Sequence, residues 1–307
     1  MTTCLYIASP SYSGSTLLTM LLGAHPAIAT IGEMKGGQEE LSSYGCSCGL
    51  LLLQCPFWNN LITSLEERGF TYDLSDLRTM PAFRTTHLWL ADAILRRYSS
   101  GRLFNAVRDY LFAIWPPWRK QLKRLLAYNE TFIELVIEMT GGSVFLDSSK
   151  DVLRIQYLTK IPSLDVRIIH LIRDGRAVVN SARKNVKQPA YAAASEWRDA
   201  QTAIERVADQ FCDGRILRVR YEDLCRNPNA QIQRILQFAT LSEDRQVMTV
   251  EGNGLHILGN RMRLRGTQAI RLDESWRSEL PSADLKVCER IARDALRRYG
   301  YATGSCR

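Results

Sequence analysis

The stretch Cys4-Leu5-Tyr6-Ile7-Ala8-Ser9-Pro10-Ser11-Tyr12-Ser13-Gly14-Ser15-Thr16-Leu17-Leu18 decides how the chain folds. Cys4 to Ala8 is a short apolar run closed by turn residues, which predicts a buried strand. Ser9 to Gly14 is rich in Ser, Pro and Gly and predicts a tight loop. Ser15 to Ala24 predicts a helix whose Leu17, Leu18, Leu21 and Leu22 pack on a sheet. His25-Pro26 ends it. Strand, Ser-rich turn and helix together form a phosphate cradle. The first N–H groups of a helix lack intrahelical partners, and the helix dipole favours an anion there. Gly14 lets the backbone come close, while Ser13, Ser15 and Thr16 add hydroxyl donors. The competing reading is a Ser-rich turn that caps a core helix.

The turn is not a Walker A loop. It has no Gly-x-x-x-x-Gly-Lys-Ser/Thr pattern and no lysine. An ATPase needs that lysine, with a hydroxyl and a carboxylate on magnesium. The pattern points to phosphate binding without a Mg–ATP engine.

Outward from this loop, strands and helices alternate. Val144-Phe145-Leu146 predicts a strand and Asp151 to Lys160 a helix. Val166-Arg167-Ile168-Ile169-His170-Leu171-Ile172 is the clearest strand, nearly continuous and β-branched, as a parallel strand buried on both faces should be. Gly175 to Lys184 predicts a helix and Ile216 to Val219 a strand. Helices follow around Gln231 to Phe238 and Asp284 to Tyr299. The alternation predicts an α/β fold, a parallel doubly wound sheet flanked by helices. Ligands in such sheets bind at the carboxyl ends of the strands. The segment from about Lys35 to Asn129 is aromatic-rich and mostly helical, broken at Pro116-Pro117 between Trp115 and Trp118. It predicts a helical insertion, about 35–135, within a single domain spanning 1–307.

A second βα turn carries Arg173-Asp174-Gly175-Arg176-Ala177. Arg173 stands at the carboxyl end of the best strand, Asp174 is placed to cap the next helix, and Ser181 follows about two turns on. An arginine fork with a hydroxyl holds a second phosphate. The competing reading is an arginine paired with a local carboxylate.

Two phosphate sites on two βα turns are more specific than either alone. Ser11 to Leu18, followed by His25-Pro26 and Gly32-Glu33, resembles the 5′-phosphosulfate loop of sulfotransferases that use PAPS (3′-phosphoadenosine 5′-phosphosulfate). Val166 to Ser181 resembles that family's 3′-phosphate motif, with the same Arg-to-Ser spacing. Asp147-Ser148-Ser149-Lys150 and Arg220-Tyr221-Glu222-Asp223-Leu224 are similar in register. The matches run from Ser9 to about Trp276 and leave out the insertion. The protein-tyrosine and bacterial branches are the nearest.

The resemblance implies a P-loop NTPase-like sulfotransferase fold. It implies transfer of a sulfuryl group from PAPS to a hydroxyl or amine by in-line displacement, with adenosine 3′,5′-bisphosphate as product. Ser11, Tyr12, Ser13, Gly14, Ser15 and Thr16 would then bind the 5′-phosphosulfate, and Arg173 and Ser181 the 3′-phosphate. Tyr221 would lie near the adenine or its phosphate. Arg261 and Arg263, in the loop Gly259-Asn260-Arg261-Met262-Arg263, would add basic contacts or else form a solvated basic face. Many relatives carry Lys or Arg immediately before the Ser-Gly pair, to steady the leaving oxygen. Here that place is Tyr12. Either its hydroxyl donates or the charge comes from elsewhere, and Lys150, which matches a lysine of the protein-tyrosine branch, is the substitute.

Sulfuryl transfer needs an in-line nucleophile and stabilised charge on the transferring group and leaving oxygen. The sulfuryl group carries less charge than a phosphoryl group, so no metal is required. Glu33 matches the base of the protein-tyrosine branch and is the candidate to take the acceptor's proton. Its other reading is a solvent-facing glutamate. His87 in the insertion is the alternative base, whereas His25 belongs to the helix stop and His170 to the core. Trp276 reads as packing.

Composition narrows the rest. The chain has 307 residues, 46% hydrophobic and 23% charged, which excludes a disordered chain. A formal charge of +8 suits an anionic partner. A nucleic-acid module would show a basic stripe with exposed aromatics. The arginines cluster instead near the proposed nucleotide site, so no nucleic-acid partner is expected. A small-molecule kinase is the alternative enzyme, and the missing loop lysine argues against it. A family member that binds nucleotide without catalysis is the third reading. The apolar run Leu50 to Leu53 is far short of a membrane span, and the N-terminus lacks a signal-peptide pattern. The expectation is a cytoplasmic enzyme. Cys46, Cys48 and Cys55 cluster, but their spacing does not match the usual zinc pairs and no fourth ligand is obvious nearby. A metal, a local disulfide and ordinary buried thiols all stay open. The acceptor pocket is expected in the insertion, with Trp58, Phe83, Trp89 and Trp115 as lining or core. Neither acceptor nor oligomeric state can be read.

Overall fold

The computed structural model describes residues 1–34, 44–73, 83, 88–95, 102–210, 214–242, 254–260, 264 and 270–302. Strand β1 (Thr2–Ala8) leads through the Ser-rich turn into helix α1 (Ser15–Gly23), then strand β2 (Ile28–Gly32). Helices α2 (Pro56–Glu67), α3 (Trp89–Leu95), α4 (Arg102–Ile114) and α5 (Pro116–Thr140) follow. Strand β3 (Val144–Asp147), helix α6 (Val152–Leu158), strand β4 (Leu164–Ile172) and helices α7 (Gly175–Val186) and α8 (Ala190–Ala208) come next. The chain continues through strand β5 (Ile216–Arg220) and helices α9 (Tyr221–Arg226), α10 (Pro228–Phe238), α11 (Trp276–Glu279) and α12 (Ser282–Arg298). The strands form one sheet in the order β2-β3-β1-β4-β5. The expected α/β fold with a parallel sheet is what the chain adopts.

Packing divides the chain into two compact units. The first comprises Met1–Tyr6, Thr16–Arg167 and Asp244–Gln268. In it β3 pairs in parallel with both β1 and β2. All of β3 is buried, so its side chains Val144, Phe145 and Leu146 belong to the core on either face. Pro116 opens α5, where a missing N–H costs nothing. Buried Phe132, Ile133 and Val136 on α5 form a 3/4-spaced stripe. Trp58, Tyr72 and Phe132 run as a chain of tilted and edge-on rings. The described residues of the segment 35–135 are mostly helical, with a turn closed by a bridge between Gly45 and Leu51, and its last helix runs on to Thr140 because the apolar stripe does.

The second unit comprises Ile7–Ser15, Ile168–Glu243 and Ala269–Arg307. Here β4 pairs in parallel with β5, Ile168 opposite Ile216 through Ile172 opposite Arg220. Helices α7, α8 and α12 bury Ala177, Val179, Ala182, Ala193, Ala194 and Cys288 in one cluster with Trp276. Trp197, Ala292 and Leu296 form another with Ile172 and Val178. Trp276 is therefore packing, as expected, with the guanidinium of Arg176 4.3 Å from its ring centre.

Four elements carry no expectation above: β2, α8 and the short helices α9 and α11. Strand β2 is five residues ending on Gly32, too short to show a period. Helix α8 did show one: Ala190, Ala193, Ala194, Trp197, Gln201, Ile204 and Ala208 are its buried face. Its alanines were a legible helix signal.

Candidate functional site

Most of the candidate nucleotide-binding residues lie in the second unit. Ser9 to Gly14 turns the chain from β1 into α1. Tyr12 stands at φ 64° and Gly14 at φ 91°. The left-handed region is ordinary for glycine and costs a non-glycine residue about 1–3 kcal/mol. Packing against both apolar clusters of the unit holds Tyr12 there. Gly14 is demanded by its neighbour as well as by its φ. A Cβ added there would sit 2.4 Å from Cδ2 of Tyr221.

Behind that ring comes Arg173. Its guanidinium carbon lies 4.4 Å from the centre of the Tyr221 ring, a cation–π stack. Loop, tyrosine and arginine form three layers. The Nη1 of Arg173 donates to the Tyr12 carbonyl at 2.9 Å, and Nη2 donates to Asp273 Oδ2 at 2.9 Å. Arg173 thus stands at the strand end beside the loop and pairs with a carboxylate, one that lies 100 positions on and not nearby in sequence. Burial raises the Asp273 carboxyl, but hydrogen bonds from Ser275 and Arg173 outweigh it and hold the group below its ordinary value. Asp174 caps α7 as expected, accepting from the Arg176 N–H at 2.9 Å.

Three buried donors here have no partner among the described residues: the Ser9 and Ser13 hydroxyls and Nε of Arg173. Buried polar atoms are nearly always satisfied, so orphaned donors gathered beside a helix start fit an anion. Ser11 is exposed, Ser15 buried, and Ser181 lies partly buried on α7. Burial, then the carboxylate of Glu196, push the Tyr12 phenol up. It keeps its proton and remains a donor. The contact that Arg173 makes is with the Tyr12 main chain, not this hydroxyl.

The first unit holds the two charged candidates. Lys150 Nζ donates to Glu33 Oε1 at 2.6 Å, both side chains mostly shielded. Sequence reasoning named both residues and gave them separate roles; the fold makes them an ion pair. Lys150 stands at φ 60°, on a turn fixed from several sides. The Asp147 carboxylate accepts from Ser149 N at 2.8 Å and from Arg154 Nε at 2.6 Å. Tyr6 Oη donates to the Asp151 carbonyl at 2.9 Å and accepts its N–H at 2.8 Å. Across from the turn, Ser149 Oγ accepts from Met34 N at 2.8 Å, next to Glu33.

The remaining expectations sort quickly. His25 closes α1 by accepting from Ala27 N at 3.1 Å. His170 is a core histidine, 2.6 Å from Gln201 Oε1. Arg261, Arg263 and His87 lie outside the described residues. Trp58 and Phe83 are core, whereas Trp89 is 77% exposed. The three clustered cysteines acquire the partner that spacing did not supply. His256 Nδ1 lies 3.2 Å from Cys55 Sγ and 3.6 Å from Cys46 Sγ. A residue 201 positions away is invisible to any local spacing rule.

Residues 83–245, more than half of the chain, match the sulfotransferase family. The chain belongs to that family. The matched stretch holds Lys150, Arg173, Ser181 and Tyr221; the phosphate loop and Glu33 precede it. Human carbohydrate sulfotransferase 6 is 28% identical over 168 residues, 46% of this chain and 42% of its own length. Mouse carbohydrate sulfotransferase 5 is 27% identical over 169 residues, with the same shares. The chain thus spans less than half the length of the curated relatives it matches. Among solved structures, a sulfotransferase domain from the curacin biosynthetic pathway superposes with a TM-score of 0.54 at 16% identity, over 99% of both chains. One from the Synechococcus PCC 7002 olefin synthase gives 0.52 at 20% identity, over 98% of this chain and 95% of its own. These sulfotransferases share the fold. Among the described residues no helix is long and apolar enough to cross a membrane.

Proposed function

We propose that this sulfotransferase takes its sulfuryl group from PAPS and passes it to a hydroxyl or amine of an acceptor by in-line displacement. The observation that carries the reading is the layered arrangement of Gly14, Tyr221 and Arg173, with the Ser13 hydroxyl and Arg173 Nε buried and unpartnered. Ser13, Gly14, Ser15 and Thr16 would hold the 5′-phosphosulfate, and Arg173 with Ser181 the 3′-phosphate. When bound, PAPS supplies an activated sulfuryl group on a good leaving group. Glu33 takes the acceptor's proton, and its ion pair with Lys150 fixes the carboxylate for that task. Lys150 is the candidate to supply the positive charge for the leaving oxygen in place of the basic residue that Tyr12 replaces. Nothing in this chemistry calls for magnesium.

Calorimetry with adenosine 3′,5′-bisphosphate, without magnesium and beside ATP, tests the donor site in wild type and Arg173→Ala. The bisphosphate should bind tightly and ATP weakly. Arg173→Ala should weaken the bisphosphate by about 10- to 100-fold, the worth of lost charge-assisted hydrogen bonds. A preference for Mg–ATP, or an unchanged affinity in Arg173→Ala, overturns the reading.

A further inference from the structure

We infer that Cys46, Cys48, Cys55 and His256 form a structural zinc site that fastens the segment 255–259 onto the end of β2. One ligand atom from each of the four residues lies within 4.8 Å of every other. Cys48 Sγ is 3.7 Å from Cys55 Sγ, and the two Sγ–Nδ1 separations are 3.2 and 3.6 Å. A tetrahedral ion with Zn–S of about 2.3 Å and Zn–N of about 2.0 Å sets sulfur from sulfur about 3.8 Å apart and sulfur from nitrogen about 3.5 Å apart. Three thiols and one imidazole form a closed zinc set with no open position, the mark of a structural ion. Soft thiolate ligands disfavour calcium and magnesium. A disulfide fits less well, because bonded sulfurs sit about 2.05 Å apart. It would also leave a thiol and an imidazole facing each other without purpose.

The surroundings are built for the set. Cys46 and Cys48 flank Ser47 on a tight turn, and Cys55 stands immediately before α2. Cys46 and Cys55 are fully buried. Ser47 Oγ donates to the Leu255 carbonyl at 2.6 Å and accepts from Ile257 N at 2.7 Å. One hydroxyl thus grips both neighbours of His256. The imidazole stacks flat on Phe57, ring centres 4.4 Å apart, which fixes its plane. Outer contacts of this kind orient metal ligands.

The same short segment also reaches the candidate base. Leu258 donates to the Ile31 carbonyl at 2.7 Å and accepts from Glu33 N at 3.2 Å. A Cβ added to Gly259 would sit 2.9 Å from Glu33 Oε1. A metal at His256 therefore anchors the segment that backs Glu33. This last consequence rests on the proposed function; the metal site does not.

The test is metal content, followed by cobalt substitution. Protein purified without chelator should hold about one zinc ion per chain. His256→Ala and Cys48→Ser should each weaken zinc by at least about tenfold, whereas Cys225→Ser, outside the cluster, should not. Apo protein refilled with Co²⁺ should show thiolate-to-cobalt charge transfer and the intense visible bands of a tetrahedral site. His256→Cys should restore binding with a shifted spectrum, which separates a ligand from a residue needed only for folding. Reduced wild-type protein that takes up neither ion overturns the inference. So does zinc held equally well by His256→Ala, or a Cys48–Cys55 disulfide in protein purified under reducing conditions. None of these readouts uses sulfuryl transfer or nucleotide binding.

Discussion

Around Arg173 and Ser13 the protein leaves buried donors without acceptors, whereas around Lys150 it matches them. The Ser13 hydroxyl and Arg173 Nε have no partner among the described residues. By contrast Lys150 donates to Glu33, and buried Arg154 donates to Asp147, Asn129 and Met34. An unsatisfied buried polar group costs about 1–3 kcal/mol, so such groups persist where a ligand completes them. A bound anion would complete the first region. The second is arranged to hold a carboxylate and an ammonium still. One region should respond chiefly in binding, the other chiefly in turnover.

The sharpest way to break that division is Glu33→Gln. The amide keeps the shape and loses the proposed base, so kcat for sulfuryl transfer should fall by about 10²- to 10⁴-fold. Affinity for adenosine 3′,5′-bisphosphate should stay within about twofold of wild type, since a change outside the contact set is close to neutral. If bisphosphate affinity fell with kcat, the two regions would not be separable. Calorimetry beside a turnover assay reads both.

Stability against pH probes the strand that carries Arg173. His170 lies on β4, buried, and desolvation lowers it from 6.5 to about 4 despite the hydrogen bond to Gln201. The folded chain prefers the neutral ring, and the unfolded chain binds the proton first as pH falls. The contribution is therefore complete above about pH 6.5 and is lost on descent towards pH 4, on the order of 3 kcal/mol in all. Urea unfolding of wild type and His170→Phe from pH 7 to 4 checks this. The variant should start less stable, with Gln201 left unpaired, but should lose less as pH falls. Parallel curves would remove His170 as the cause.

The legible parts of the molecule share one property: their residues are contiguous. Cys4 to Leu18 and Val166 to Ser181 each contain a strand, a turn and a helix start, so period and turn chemistry spoke together. What could not be read joins distant positions. The Glu33–Lys150 pair closes over 117 positions, and each residue alone looked like a separate participant. Tyr221 backs Gly14 from a helix that no period announced, and Asp273 finds Arg173 across 100 positions. His256 is the extreme case. Local spacing left a metal as one of three open readings, because the fourth ligand arrives in a segment bridged to β2, 201 positions from Cys55.

Asp273 offers the finest test of the binding region. Its carboxylate holds the same guanidinium that a 3′-phosphate would need, and its side chain is 48% exposed. An exposed partner of this kind contributes only about 0.2–1 kcal/mol. In the proposed complex it is also a like charge beside the phosphate. Replacing it by Asn keeps the Ser275 contact geometry available and removes the repulsion. Asp273→Asn should therefore bind adenosine 3′,5′-bisphosphate about two- to fivefold more tightly, by the size of the pairing it gives up. Raising ionic strength should shrink the difference, because exposed charges are screened. Weaker binding in Asp273→Asn would mean that the carboxylate positions Arg173 instead of competing for it, and the region would then be as internally matched as the one around Lys150.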